Sequence, residues 1–310
     1  MAARDALPVL TPGTPVLLRA DRRVHIGSDP RTALVLDVDP GVTSAKIVAI
    51  LQRLRTPQRY RQLRRDVRSS GLTASGFWSM LDRIVAAGKA TAPPTVGLAP
   101  FSVGVVGHGE IAELLLTGLA RDGHAAAPYD PRELDVVGRR RPQLVVIADQ
   151  PVPDPAVWEP LMGTATPHLP AHVGDDVGTV GPLVLPGRSS CLRCVDLHRA
   201  DLDPLWPVVA ATLYGVAGGA SASTCLATAA VAQAQIAEIV ERLRAHRTQA
   251  PSLVGRSLEF RPIPSTLRST AMPVHPRCRC QQRYGSRLTY GSTPESAAST
   301  ILEQAAKGQN

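Results

Sequence analysis

Lysine is nearly absent from this 310-residue chain: Lys46, Lys89 and Lys307 are its only occurrences, and none lies between residue 96 and Cys280. That gap bears on ATP chemistry, which sets a lysine and arginines against concentrated phosphate charge. Aromatic residues are few, at 4%, while Ala and Arg abound. Such a composition carries the mark of a high-GC coding bias, so the net charge of +8 argues only weakly for an acidic partner. The opening Met1-Ala2-Ala3-Arg4-Asp5-Ala6-Leu7 has no apolar h-region of a secretory signal, and the expectation is a cytoplasmic protein. The long uncharged stretch from Trp206 to Ala237 is interrupted by Pro207, Gly215, Gly218 and Gly219. It predicts a buried helical hairpin and no membrane span.

Cysteine is scarce too, but four of the five are paired: Cys191-Leu192-Arg193-Cys194 and Cys278-Arg279-Cys280. Four thiolates on two short loops make a closed tetrahedral zinc site, which holds structure and leaves no open coordination position for chemistry. The competing readings are two disulfides, which need an oxidising compartment, or reduced cysteines close by chance. Cys225, in an Ala-rich run, reads as a small core residue.

The first hundred residues predict strands at Val16-Leu17-Leu18-Arg19 and Leu34-Val35-Leu36-Asp37-Val38 around a Gly27-Ser28-Asp29-Pro30 turn. Three helices should follow: one capped by Thr43, one starting at Thr56-Pro57 and running to about Arg68, and one opened by Ser75 and ending before Gly88. Strands followed by three short helices outline a winged helix. Arg59, Arg61, Arg64, Arg65 and Arg68 crowd the second helix, a pattern able to meet phosphates. The third helix, Phe77-Trp78-Ser79-Met80-Leu81, is mostly apolar and ill suited to reading a major groove, which favours a peptide added to the sheet edge.

After a linker at Ala92-Pro93-Pro94-Thr95, Ser102 to Ala112 reads as strand, glycine turn and helix start. Gly107 permits the turn, Gly109 close approach of a ligand or backbone, and Ala112 tight helix packing. Asp130 ends a second strand where an acid would meet a ribose, and Gln143 to Asp149 forms a third, buried strand. Gly107, Gly109 and Asp130 are therefore the candidate nucleotide site. Pro131-Arg132-Glu133-Leu134 follows Asp130 in place of a basic run, and Arg139, Arg140 and Arg141 read as a solvated face. His108 sits in the turn. His168 and His172 mimic a helical metal pair, but Pro170 between them forbids the helix and predicts a strand. Asp175 and Asp176 suggest a hairpin turn. Asp196, His198 and Arg199 open the insertion between the cysteine pairs, where they could bind a partner or bond to the thiolates. The helix from about Ala220 to His246 places Ile236, Ile239, Val240 and Leu243 on one face. The tail beyond Cys280 is polar, with a short helix after Thr293-Pro294-Glu295.

A Rossmann-like half carrying two such cysteine pairs resembles the E1-like, ThiF-type superfamily. More specifically, Val180 to Arg199 with its Pro186-Gly187-Arg188 before Cys191, then Asp203-Pro204-Leu205-Trp206-Pro207 and His275-Pro276-Arg277-Cys278-Arg279-Cys280, looks like the cyclodehydratase partner proteins of azol(in)e-peptide biosynthesis. The resemblance covers about residues 10 to 283. It implies an α/β architecture in two parts. Residues 1–92 would form a winged-helix domain like a leader-peptide recognition element, and residues 96–285 a Rossmann-like E1-type domain with structural zinc on Cys191, Cys194, Cys278 and Cys280. Beyond the span of the resemblance, the polar composition of residues 286–310 predicts a flexible tail. The resemblance further implies a non-catalytic protein that binds a precursor's leader peptide and presents it to a separate YcaO-type cyclodehydratase, with pairing into homodimers; the missing lysine argues against ATP, the apolar third helix against nucleic acid and the interrupted run against a membrane. The alternatives are a true ATP-dependent adenylating enzyme and a DNA-binding winged-helix regulator.

Overall fold

The computed structural model describes residues 5–91, 100–130, 141–244 and 250–285, the side chains at 243 and 244 excepted. The linker at 92–95, the segment 131–140 with Arg139 and Arg140, and the tail from 286 with its expected helix lie outside the described residues. Two compact units divide the chain, 1–98 and 99–310.

In the first unit, β1 (Val9–Leu10) pairs antiparallel with β5 (Ala90–Thr91), tying the two ends of the unit together. Between them β2 (Val16–Leu18), β3 (Val24–Ile26) and β4 (Leu34–Leu36) form an antiparallel meander with β3 in the centre. The sequence predicts β2 and β4 but not β3, whose three residues are too short a run to register. Val24 and Ile26 face the core, and His25 between them turns outward to bond the Gly27 carbonyl at 2.8 Å.

Three helices follow. In α1 (Ser44–Arg53), Ile47, Ile50 and Leu51, with Leu54 just beyond, recur at helical spacing and are all buried. Each fully buried aliphatic of this size contributes roughly 1.5–3 kcal/mol. α2 runs Tyr60–Ser69, so it begins three residues after Pro57: the Gln62 side chain accepts the Arg59 N–H at 2.9 Å and sets the start there. α3 (Ala74–Ala86) is capped by Thr73, whose hydroxyl accepts the Gly76 N–H at 3.1 Å, and not by Ser75.

The second unit is built on a seven-stranded sheet. Its parallel part comprises β6 (Ser102–Val106), β7 (Ala125–Pro128), β8 (Leu144–Ala148) and β9 (His168–Gly174). β10 (Val177–Val180), β11 (Arg256–Arg261) and β12 (Thr266–Ala271) extend it antiparallel, giving the order β12-β11-β10-β9-β8-β6-β7. The period of two in β8 divides its side chains between two cores. Leu144, Val146 and Ala148 face α4 (Glu110–Arg121) and α8 (Ala222–Arg244), whereas Val145 and Ile147 face α5 (Pro155–Gly163) and the cysteines.

Asp175 and Asp176 make the expected hairpin turn with positive φ, and Asp176 also holds the start of α8 through the Ser221 N–H at 2.9 Å. Gly178 is required where α8 crosses β10, since a Cβ there would fall 1.9 Å from Thr228 Oγ1.

α6 (Leu192–Leu202), α7 (Trp206–Leu213) and α8 fill the interval between the cysteine pairs, with the β11–β12 hairpin completing it. The expected buried hairpin holds for α8 alone. That helix is long and apolar enough to cross a bilayer by length and composition, yet Cys225, Ala229, Ala232 and Ile236 bury it in the sheet core, together with Ile239 and Val240. α7 has only Ala210 buried, and Leu205, Val208 and Val209 are exposed. A final short helix, α9 (Cys280–Gly285), begins at the last cysteine.

Candidate metal centre and glycine turn

The four paired cysteines converge. Cys191 caps α6, and its carbonyl accepts the Cys194 N–H at 2.9 Å, while the Cys278 N–H reaches the His275 carbonyl at 2.9 Å. Sulfur separations are 3.8 Å for Cys191 and Cys194, 3.7 Å for Cys191 and Cys278, and 3.7 Å for Cys194 and Cys280. A tetrahedral ion with metal–sulfur bonds of about 2.3 Å needs sulfurs roughly 3.8 Å apart. All four sulfurs lie within 4.8 Å of one another, so the cluster can hold such a cation.

Hydrogen bonding to Cys194 and Cys280, then burial, pushes the Cys191 thiol up, while hydrogen bonds from Cys191 and Cys280 hold Cys194 down. A divalent cation would let all four carry charge together.

The Pro186-Gly187-Arg188 segment positions the first pair. Ser189 Oγ accepts the Leu185 N–H at 2.8 Å and closes a tight turn. Gly187, at φ +76°, lies against the end of α9, where a Cβ would stand 2.7 Å from Gly285 N. Glycine is thus needed for backbone contact between the two cysteine-bearing segments.

A latch beside the cluster joins α6 to the second pair. His275 Nε2 bonds Asp201 Oδ2 at 2.8 Å, Arg277 bonds the other carboxylate oxygen, and His198 Nε2 reaches the Pro273 carbonyl at 3.0 Å. His275 and Arg277 hold the Asp201 carboxyl below its ordinary range. Of the trio that opens the insertion, none has a hydrogen bond to sulfur among the described residues. Asp196 accepts from Trp206 Nε1 at 3.3 Å, and Arg199 donates to the Pro151 carbonyl at 3.3 Å with its guanidinium 4.9 Å from the Trp206 ring centre.

Gly107 and Gly109 lie in the turn after β6, and Asp130 follows β7 at the same end of the sheet. The space over the glycines is filled by Asp149, a residue that the sequence places only at the end of a strand. Asp149 is 4% exposed, and its carboxylate accepts the Gly109 N–H at 2.8 Å and the Ile111 N–H at 2.9 Å. A Cβ on either glycine would stand 2.7 Å from that carboxyl group. Gly109, the N-cap of α4, has no side chain to cap with. Asp149 does it from across the sheet, at the end where a helix otherwise attracts an anion. The signal was an acid ending a parallel strand beside a glycine turn. His108 is exposed.

His168 and His172 lie on β9, as the intervening proline predicts, both buried on one face. Burial lowers His168 to about 4, against a raising bond to the Thr166 carbonyl, and burial with the nearby Arg199 charge lowers His172 to about 3. Both rings are therefore neutral at pH 7.

No family model matches this chain, and no curated protein does. Solved structures match its fold. A heterocyclase in complex with substrate and cofactor aligns with 86% of this chain and 38% of its own, at 17% identity and a TM-score of 0.55. The heterocyclase TruD aligns with 97% of this chain and 51% of its own, at 16% identity and 0.59. MccB from E. coli, solved with ATP and also with SeMet MccA, aligns in the ATP complex over 88% of this chain and 99% of its own, at 13% identity and 0.53. This chain thus spans about half or less of the heterocyclases it matches. The resemblance read from the cysteine-flanking segments holds for the architecture: the chain has the fold that these heterocyclases and MccB share.

Proposed function

We propose that this chain is a non-catalytic E1-like partner protein, which binds the leader of a precursor peptide through residues 1–92 and presents it to a separate ATP-dependent cyclodehydratase of the YcaO type. A zinc ion held by Cys191, Cys194, Cys278 and Cys280 would staple the second unit. The observation that carries the non-catalytic half is the Asp149 carboxylate seated on the Gly109 and Ile111 N–H groups, because the chain itself fills the place of a phosphate. On this reading Gly107, Gly109 and Asp130 are the remains of a nucleotide site. The missing lysine agrees. So does Cys225, whose thiol is buried and pushed up by desolvation, the reverse of what a thioester-forming nucleophile needs.

Peptide binding is supported by β4, whose outer edge pairs with no other strand among the described residues. Half-buried Leu34, Trp78, Met80 and Val85 border the same core. A strand meander followed by three helices fits the winged-helix outline, and an added peptide strand would extend the meander. That MccB is solved with MccA, and that the heterocyclases are longer chains, fits a split system in which ring formation belongs to another polypeptide.

Calorimetric titration of the full chain with precursor peptides encoded beside it tests the reading; absence of binding to any of them would sink it. A second reading, an adenylating enzyme, is favoured by the match to MccB with ATP. Exchange of labelled pyrophosphate into ATP, dependent on magnesium and peptide, would establish it.

A further inference from the structure

The arginines of α2 form a single stripe. Arg61, Arg64, Arg65 and Arg68 stand at i, i+3, i+4 and i+7 and are all exposed, while Leu63 and Val67 on the other side enter the core. Nearby carboxylates do little to neutralise them. Asp66 is engaged by Arg53 at 2.7 Å, and Asp5 stands 3.8 Å from both Arg59 and Arg61. Arg64, Arg65 and Arg68 form no ion pair among the described residues. Like charges at three and four residue spacings repel along a helix. This arrangement costs the free protein stability that an anionic partner would restore. Composition does not produce it, for a coding bias toward arginine has no reason to align four of them on one face.

We infer that this stripe docks a short acidic stretch of peptide. The inference rests on the peptide-binding reading above and adds the chemistry that the peptide must carry. Seven residues of helix span about 10 Å, which an extended chain covers in about three or four residues at roughly 3.3 Å each. Two or three carboxylates in that stretch would meet the four guanidiniums, whose planar forks suit bidentate contact. The neighbouring element favours peptide over nucleic acid. Trp78 of α3, its ring 5.6 Å from Tyr60 of α2, and Met80 offer half-buried apolar surface in place of polar side chains for base edges. An acidic stretch next to an apolar residue matches both surfaces.

The test uses the full chain and fluorescence anisotropy with three probes. These are a short labelled peptide of Glu, Leu and Ala, its counterpart with Gln for every Glu, and a short labelled DNA duplex. The variant is Arg64→Gln/Arg65→Gln/Arg68→Gln, which keeps helix propensity, with far-UV circular dichroism as the folding check. The acidic peptide should bind the unaltered chain and lose roughly tenfold or more in affinity both in the variant and on raising salt, while the Gln peptide binds weakly to both. Equal affinity of the variant for the acidic peptide would overturn the inference, as would failure of the unaltered chain to bind it. Tighter binding of the duplex, lost in the variant, would overturn it in favour of nucleic acid. The cognate precursor separates the two claims. If the variant binds it as the unaltered chain does, the stripe fails and the peptide-binding reading stands. If no precursor binds while the acidic probe still depends on the arginines, that reading fails and the stripe stands.

Discussion

The sulfurs of Cys191 and Cys278 lie 3.7 Å apart although 87 residues separate them in the chain. Four sulfurs drawn together from two distant segments sit at the spacing that a tetrahedral cation requires, so metal and fold should be inseparable in the second unit. Cys191→Ser or Cys278→Ser is expected to abolish stoichiometric zinc and lower the melting temperature by about 10 °C or more. Elemental analysis alongside calorimetry checks this. A variant that stays metal-loaded and melts normally would defeat the staple reading.

His275→Ala should act more mildly. The latch to Asp201 orients the loop that carries Cys278 and Cys280, and loss of such support typically costs ~10–100-fold in metal affinity. Competition against a chelator measures it, and affinity unchanged from the unaltered chain would show that the latch is incidental.

Asp149→Ala leaves the N–H groups of Gly109 and Ile111 without an acceptor in a buried place. Each orphan costs about 1–3 kcal/mol, so a loss of roughly 2–6 kcal/mol in denaturant unfolding is expected, and less for Asp149→Asn, which keeps one acceptor. A loss below about 0.5 kcal/mol would mean that water serves the turn equally well.

Stability should fall on mild acidification. His168 and His172 titrate near 4 and 3 in the folded protein but near 6.5 when unfolded. Between those values the unfolded chain binds more protons. Stability is therefore complete above about pH 6.5 and is lost as pH drops toward 4, by roughly 3 kcal/mol per histidine. Guanidinium midpoints at pH 7.5, 6 and 5 should decline steadily, and His172→Gln should flatten the slope.

What the sequence discloses depends on how local each feature is. The cysteine pairs, the glycine turn and the strand through His168 and His172 are written in short spacings, and each appears where it was expected. Asp149 was passed over as an ordinary strand end because its partners, Gly109 and Ile111, lie 40 and 38 residues away and meet it only across the sheet. β3 escaped notice because Val24-His25-Ile26 is three residues long. The start of α2 was misplaced since Pro57 is a stronger local signal than the Gln62 side chain that fixes it. The apolar residues of α7 predict burial, but hydropathy alone does not say which apolar surface the fold leaves uncovered.

The order of the large sheet gives the metal site a consequence for handling the protein. β12 forms one margin of that sheet, is mostly exposed along its length and is joined to β11, and the chain returns from this hairpin directly to Cys278. Stripping the metal frees that return, and if the hairpin peels away, β10 becomes a bare margin with unpaired N–H and C=O groups that strands of other molecules can join. Chelator-treated protein is therefore expected to precipitate with rising β-content instead of unfolding reversibly, and zinc added back afterwards should not redissolve it.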